Sequence, residues 1–183
     1  MKVLKWIVIV VVVLFVAGLI TTKYMISQTK KHSPEETITY NENGYDLSLT
    51  YSRPYKKGRE IFGGDLVPFG KVWRTGANEP TMFTTKTDLV IDGETLPTGT
   101  YSLWTIPNKN SWEIIFNNGD YSWGVGFDEV AQRDATFDVV VAESEVFTNF
   151  KVLEQFTIDI DGNPAVMMLS WDNTRVDVVL EKK

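Results

Sequence analysis

YDLSLTYS, residues 45–52, decides the fold class. Tyr45, Leu47, Leu49 and Tyr51 alternate with Asp46, Ser48, Thr50 and Ser52. Side chains on a strand point to its two faces in turn, so this spacing predicts a strand with one face in a core and the other in water. The same period recurs downstream. SWEIIFN (111–117) puts Trp112, Ile114 and Phe116 on one side, FTIDID (156–161) puts Phe156, Ile158 and Ile160 together, and RVDVVLE (175–181) groups Val176, Val178 and Leu180. Turn clusters separate these runs: Asp92-Gly93, Pro97-Thr98-Gly99, the 107–110 segment PNKN, the 117–120 segment NNGD, Asp161-Gly162 and Asp172-Asn173. Short, β-branched or aromatic segments at regular spacing predict an all-β domain, an antiparallel β-sandwich of jelly-roll or immunoglobulin-like type with nine or ten strands. Only DEVAQR (128–133) reads as a helical turn.

The N-terminus is a different device. Lys2 and Lys5 precede an unbroken apolar run over 6–20, about 22 Å long as a helix. Thr21 and Thr22 can extend it, and Lys23 can snorkel with Tyr24 at the interface. Residues 1–26 are therefore read as a single N-terminal transmembrane helix, an anchor or a signal peptide; no A-x-A-like cleavage site follows the run. Residues 27–43 read as a polar linker and 44–183 as the sandwich. Lys23, Lys30 and Lys31 lie beyond the run, so charge alone leaves orientation open. A short basic start before an apolar run is how exported chains begin, which places the domain on the extracytoplasmic, periplasmic side.

Composition excludes several chemistries. There is no cysteine, and the one histidine, His32, sits in the juxtamembrane segment beside two lysines. Thiol catalysis, Ser-His-Asp catalysis and His- or Cys-ligated metals are thereby removed from the domain. No cofactor and no metal is expected. The nearest approach to a calcium loop, Asp159, Asp161 and Asn163, has its glycine at the wrong position and Ser170 where a closing glutamate is required, so it reads as a hairpin turn. Five of the 18 basic residues fall in residues 1–32, which hold no acid; the rest of the chain carries 13 basic against 24 acidic residues, a net of −11. Such a domain is poorly suited to nucleic acid.

One segment is locally basic. Residues 53–74 hold Arg53, Lys56, Lys57, Arg59, Lys71 and Arg74 against Glu60 and Asp65. It runs into KVWRTGANEP (71–80), where breakers and turn residues surround Trp73, Arg74, Asn78 and Glu79. Arginine beside turn residues clamps carbonyls or carboxylates with its rigid fork of donors. The same residues can instead line a pocket, Trp73 as its wall and Arg74, Asn78 and Glu79 as its polar groups. A structural knot and a ligand site use the same residue types here, with Glu79 the leading partner for Arg74 in either. NNGDYSWGVGF (117–127) adds Tyr121 and Trp123 among flexible glycines, a loop able to close over a ligand. The candidate ligand-binding residues are thus Arg53, Arg59, Trp73, Arg74, Asn78, Glu79, Tyr121 and Trp123. No catalytic residue is assigned. A carboxylate pair drawn from Glu79, Asp65, Glu113 and Asp120, or a Ser52–lysine dyad, would be the only catalytic schemes the inventory allows.

Several motifs occur in fixed order: S-R-P at 52–54, K-G-R-x-I-F-G at 57–63, V-W-R-T-G-A-N-E at 72–79, and L-P-x-G-T-Y at 96–101 followed by I-P at 106–107. In these the chain resembles the bacterial family called domain of unknown function 2911, over roughly residues 45–181. The resemblance implies an exported or membrane-associated all-β protein. It implies no activity and carries over no catalytic residues. The function expected is that of a membrane-anchored extracytoplasmic domain binding a small polar ligand, a glycan or an envelope partner. The alternatives are a metal-independent hydrolase of envelope carbohydrate and a purely structural envelope module.

Overall fold

A computed structural model describes residues 2–126 and 128–183. Helix α1, Lys2–His32, is apolar on all sides over residues 6–20 and, with a mean hydropathy of 3.0 over its membrane-length window, long enough to cross a bilayer. Thr21 and Thr22 donate back to the carbonyls of Ala17 and Gly18, at 2.9 and 3.0 Å. Their hydroxyls are thus satisfied within the helix, as an apolar medium requires. The helix is one compact unit and the domain from Ser33 onward is another.

The domain is antiparallel and nine-stranded among the described residues: β1 Glu35–Tyr40, β2 Leu47–Ser52, β3 Thr81–Thr85, β4 Leu89–Ile91, β5 Glu94–Leu96, β6 Gly99–Pro107, β7 Ser111–Asn117, β8 Asp138–Asp161 and β9 Ala165–Lys182. Their spatial order is β1-β2-β3-β6-β7-β8-β9-β4-β5. Strand β8 changes partner along its length. Asp138 to Glu145 pairs with β7, and Val146 to Asp161 pairs with β9 across two register shifts. The expected alternation holds: Leu47, Leu49, Trp112, Ile114, Phe156, Ile158, Val176 and Val178 share one core drawn from both ends of this order. Three tyrosines tie the first strands to the last through backbone atoms. Tyr40 donates to the Gly162 carbonyl, Tyr45 to that of Leu180 and Tyr51 to that of Ile158, at 2.6, 2.8 and 3.3 Å.

Two expectations are corrected. The polar linker over 27–43 does not exist as such: α1 runs to His32 and residues 35–40 form β1, paired with β2 from Glu35↔Ser52 to Tyr40↔Leu47. The charge that disguised this strand is neutralised, because Glu36 meets Arg53 at 2.7 Å and accepts from the Tyr51 hydroxyl at 2.9 Å. Residues 128–133 make no helical turn; Val125 bridges Ala131, and the one 3₁₀ turn among the described residues is Ala135–Phe137 with Asp134 as its N-cap. The Asp161-Gly162 segment is the β8–β9 hairpin turn.

Candidate functional site

Strands β6 and β7 are buried on both faces. Leu103, Ile114 and Phe116 enter the core, while Ser102, Trp104, Ile115 and Asn117 are equally buried at the opposite parity. Trp104 and Ile115, together with Ala77, stand outside the main core cluster. A second layer therefore covers this face, built from residues 74–80, 118–126 and 128–134.

Residues 74–80 are an excursion within one line of pairing. Trp73 exchanges backbone hydrogen bonds with Thr105, and Thr81 pairs with Leu103. The β6 partners are two positions apart, yet Trp73 and Thr81 are eight apart. Positive φ at Thr75 (54°), Gly76 (151°) and Asn78 (60°) turns the chain out and back. The excursion is closed by its own polar groups. The Thr81 hydroxyl donates to the Thr75 carbonyl at 2.6 Å, the Trp73 indole to that of Gly76 at 3.1 Å, and the Asn78 amide to Ser52 Oγ at 3.3 Å. Trp73 is a core residue, stacked on Trp171 at 6.2 Å and edge-on to Phe156 at 5.0 Å. It is a wall of the core, with 7% of its surface exposed.

The 118–134 segment is latched by Asn117. Its amide donates to the Asp134 carbonyl and to Asp138 Oδ1, both at 2.8 Å, and its oxygen accepts from the Gly119 amide at 2.8 Å and the Tyr121 hydroxyl at 3.0 Å. Asp138 is also forked by Arg133. The Tyr121 ring stands edge-on to Trp104 at 5.3 Å, and the Trp104 indole donates to Ser102 Oγ. The two parts of the cover meet at Gly124, whose amide donates to the Asn78 carbonyl at 2.9 Å. Gly124 lies flush on the aliphatic stem of Arg74, so no side chain fits there. Trp123, half-buried, precedes it.

The candidate residues thus divide. Arg53 and Arg59 are clamps. Arg53 spends Nε on the Phe156 carbonyl, Nη2 on Thr157 and Nη1 on Glu36. Arg59 donates to the carbonyls of Lys56 and Tyr55, within its own loop. Trp73 and Asn78 hold the excursion together. Tyr121 and Trp123 belong to the cover, and Arg74 and Glu79, both half-buried, flank the point where the excursion meets it. The ion pair expected between Arg74 and Glu79 does not form among the described residues. Arg74 instead lies under Gly124 with its Nε buried and without a hydrogen-bond partner. Burial alone holds its pKa below the usual guanidinium value. Among the described residues no cluster of three His, Cys, Asp or Glu is arranged to hold a metal.

Sequence reasoning missed Trp104, Asn117 and Gly124. A signal for the first was present: Leu103-Trp104 and Ile114-Ile115 break the alternation, as strands buried on both faces do. Asn117 and Gly124 carry no such signal, because their partners are set by the tertiary path of the cover.

No curated protein and no solved structure matches the chain. Residues 33–180, nearly all of the folded domain, match the family described as Protein of unknown function (DUF2911), and the chain belongs to that family.

Proposed function

We propose that this is a membrane-anchored, extracytoplasmic binding domain that takes a small polar ligand, such as a glycan fragment, on the covered outer face of β6 and β7. One observation carries the reading. The fold builds a second buried layer outside its core and seats within it Arg74, whose Nε is buried without a hydrogen-bond partner among the described residues. A layer serving stability alone has no use for a half-buried guanidinium with an unsatisfied N–H. The cover suits a binding role: it contains Gly119, Gly124 and Gly126 and rests on the sheet through a few polar latches. The extracytoplasmic placement rests on the short basic start before an apolar run, as exported chains begin, since the lysines on the two sides of the run leave charge undecided.

The test uses the full chain in non-ionic detergent. Saccharide fragments of the envelope are screened by thermal unfolding and by hydrogen exchange of residues 118–134. A ligand that fits raises Tm and slows exchange in the cover. A panel that moves neither, with exchange in 118–134 as slow as in the core strands, overturns the binding reading. A periplasmic reporter fused after Lys183 tests the placement; a silent reporter on a full-length, membrane-bound chain overturns it.

A further inference from the structure

The five arginines of the chain solve the same problem in different ways. Arg53 and Arg59 are engaged as described above, Arg133 forks Asp138, and Arg175 forks Asp177 at 2.5 and 2.7 Å. Arg74 is the exception. Its stem is fixed by the Gly124 backbone, and its Nε is buried without a hydrogen-bond partner among the described residues. Burying a guanidinium N–H without an acceptor is unfavourable, and a fold tolerates it where something outside the chain completes the pairing.

We infer that Arg74 is the docking point of an oxyanion, a carboxylate or phosphate group of the ligand. This rests on the reading of the outer face as a binding site and names the chemistry that site selects. The guanidinium presents parallel N–H donors in one plane, matching two oxygens of a carboxylate or phosphate. A neutral sugar offers hydroxyls, which accept singly and leave the charge uncompensated. The surrounding domain carries a net charge of −11, so its long-range field repels anions. Recognition is therefore local, and the ligand is small. Added salt screens this repulsion and leaves the buried contact largely intact. Association is then expected to hold or quicken as ionic strength rises, whereas binding to an exposed basic patch would weaken.

The experiment uses the full chain in non-ionic detergent, with inorganic phosphate, acetate, D-glucuronate and neutral glucose as probes. Tm is followed for wild type, Arg74→Gln, Arg74→Met and the charge control Lys109→Gln. In parallel, the Arg74 Nε–H resonance of ¹⁵N-arginine-labelled wild type is titrated with each probe, so the result stands even if an Arg74 variant fails to fold. At least one oxyanion is expected to raise Tm by several degrees in wild type and Lys109→Gln, to have no such effect in either Arg74 variant, and to shift the Nε–H resonance. A response to phosphate alone identifies a phosphoryl ligand; a response to acetate or glucuronate identifies a carboxylate. Equal oxyanion stabilisation in the Arg74 variants, or an Nε–H resonance unmoved by every oxyanion, overturns the inference. If glucose binds under those conditions, the binding reading survives without its anion; if no probe or envelope saccharide binds, both fall.

Discussion

Gly124 has no room for a β-carbon: one would meet the stem of Arg74 and lie 2.9 Å from the Asn78 carbonyl oxygen, which is backbone and cannot step aside. Gly124→Ala should cost about 1–3 kcal/mol, the usual penalty for forcing atoms into a packed site. Urea unfolding measures it; unchanged stability would mean the cover does not rest on Arg74. Tyr51 gives a pH dependence. Burial raises its pKa, outweighing the opposing Ile158 backbone hydrogen bond and Arg53 charge. A phenol whose folded pKa exceeds its unfolded value contributes stability that is full below the unfolded pKa, about 10, and is lost as pH rises beyond it. Tm should therefore be flat near pH 8–9 and fall above about pH 10, less steeply in Tyr51→Phe. That variant should start less stable by about 1–3 kcal/mol, because the Ile158 amide loses its acceptor at 2.9 Å. An equal slope in both proteins would assign the alkaline loss elsewhere. Sequence distinguishes none of these roles. Arg53, Arg59 and Arg74 each sit beside a breaker, yet one clamps a strand far along the chain at Phe156, one caps its own loop and one has its Nε without a hydrogen-bond partner among the described residues.

Strands announce themselves by period, and those facing one core were readable from it. Those with a second duty were not. β1 was hidden by Glu35 and Glu36, because a charge on an inward parity argues against a strand until its partner is known, and Arg53 lies 17 positions away. The 118–134 cover has no period at all; its path follows from one amide. Asn117 uses two donors and its oxygen to hold Asp134, Asp138, Gly119 and Tyr121. Asn117→Ala removes all four bonds and leaves half-buried partners unsatisfied, each costing about 1–3 kcal/mol where no water reaches it. The loss should be local first. Limited proteolysis is expected to cut within 118–134 under conditions that leave wild type intact, with the far-ultraviolet dichroism of the sheet unchanged. Global unfolding without prior cleavage there would show that the cover and the core form one cooperative unit.

Helix and domain follow one another without a spacer in sequence, since α1 ends at His32 and β1 begins at Glu35. The domain boundary therefore falls at Ser33, and where a soluble fragment begins decides whether it folds. A chain starting at Ser33 keeps every strand and should melt at the temperature of the full protein in detergent. A chain starting at Asn41 looks harmless by composition, because the segment it omits is polar. It removes β1, and with it the burial of Tyr40, the Tyr40 hydrogen bond to Gly162 and the Glu36–Arg53 pair. Burial of one large side chain contributes about 1.5–3 kcal/mol and the hydrogen bond about 1 kcal/mol more. For a domain of this size a loss of about 3 kcal/mol lowers Tm by roughly 6–12 °C. It also uncovers the β2 edge, whose free N–H and C=O groups template association with other chains. The fragment from Asn41 should accordingly melt lower and elute as oligomers in size-exclusion chromatography, while the fragment from Ser33 stays monodisperse. Equal melting and equal elution of the two would show that β1 is dispensable and that the domain begins where the polar segment ends.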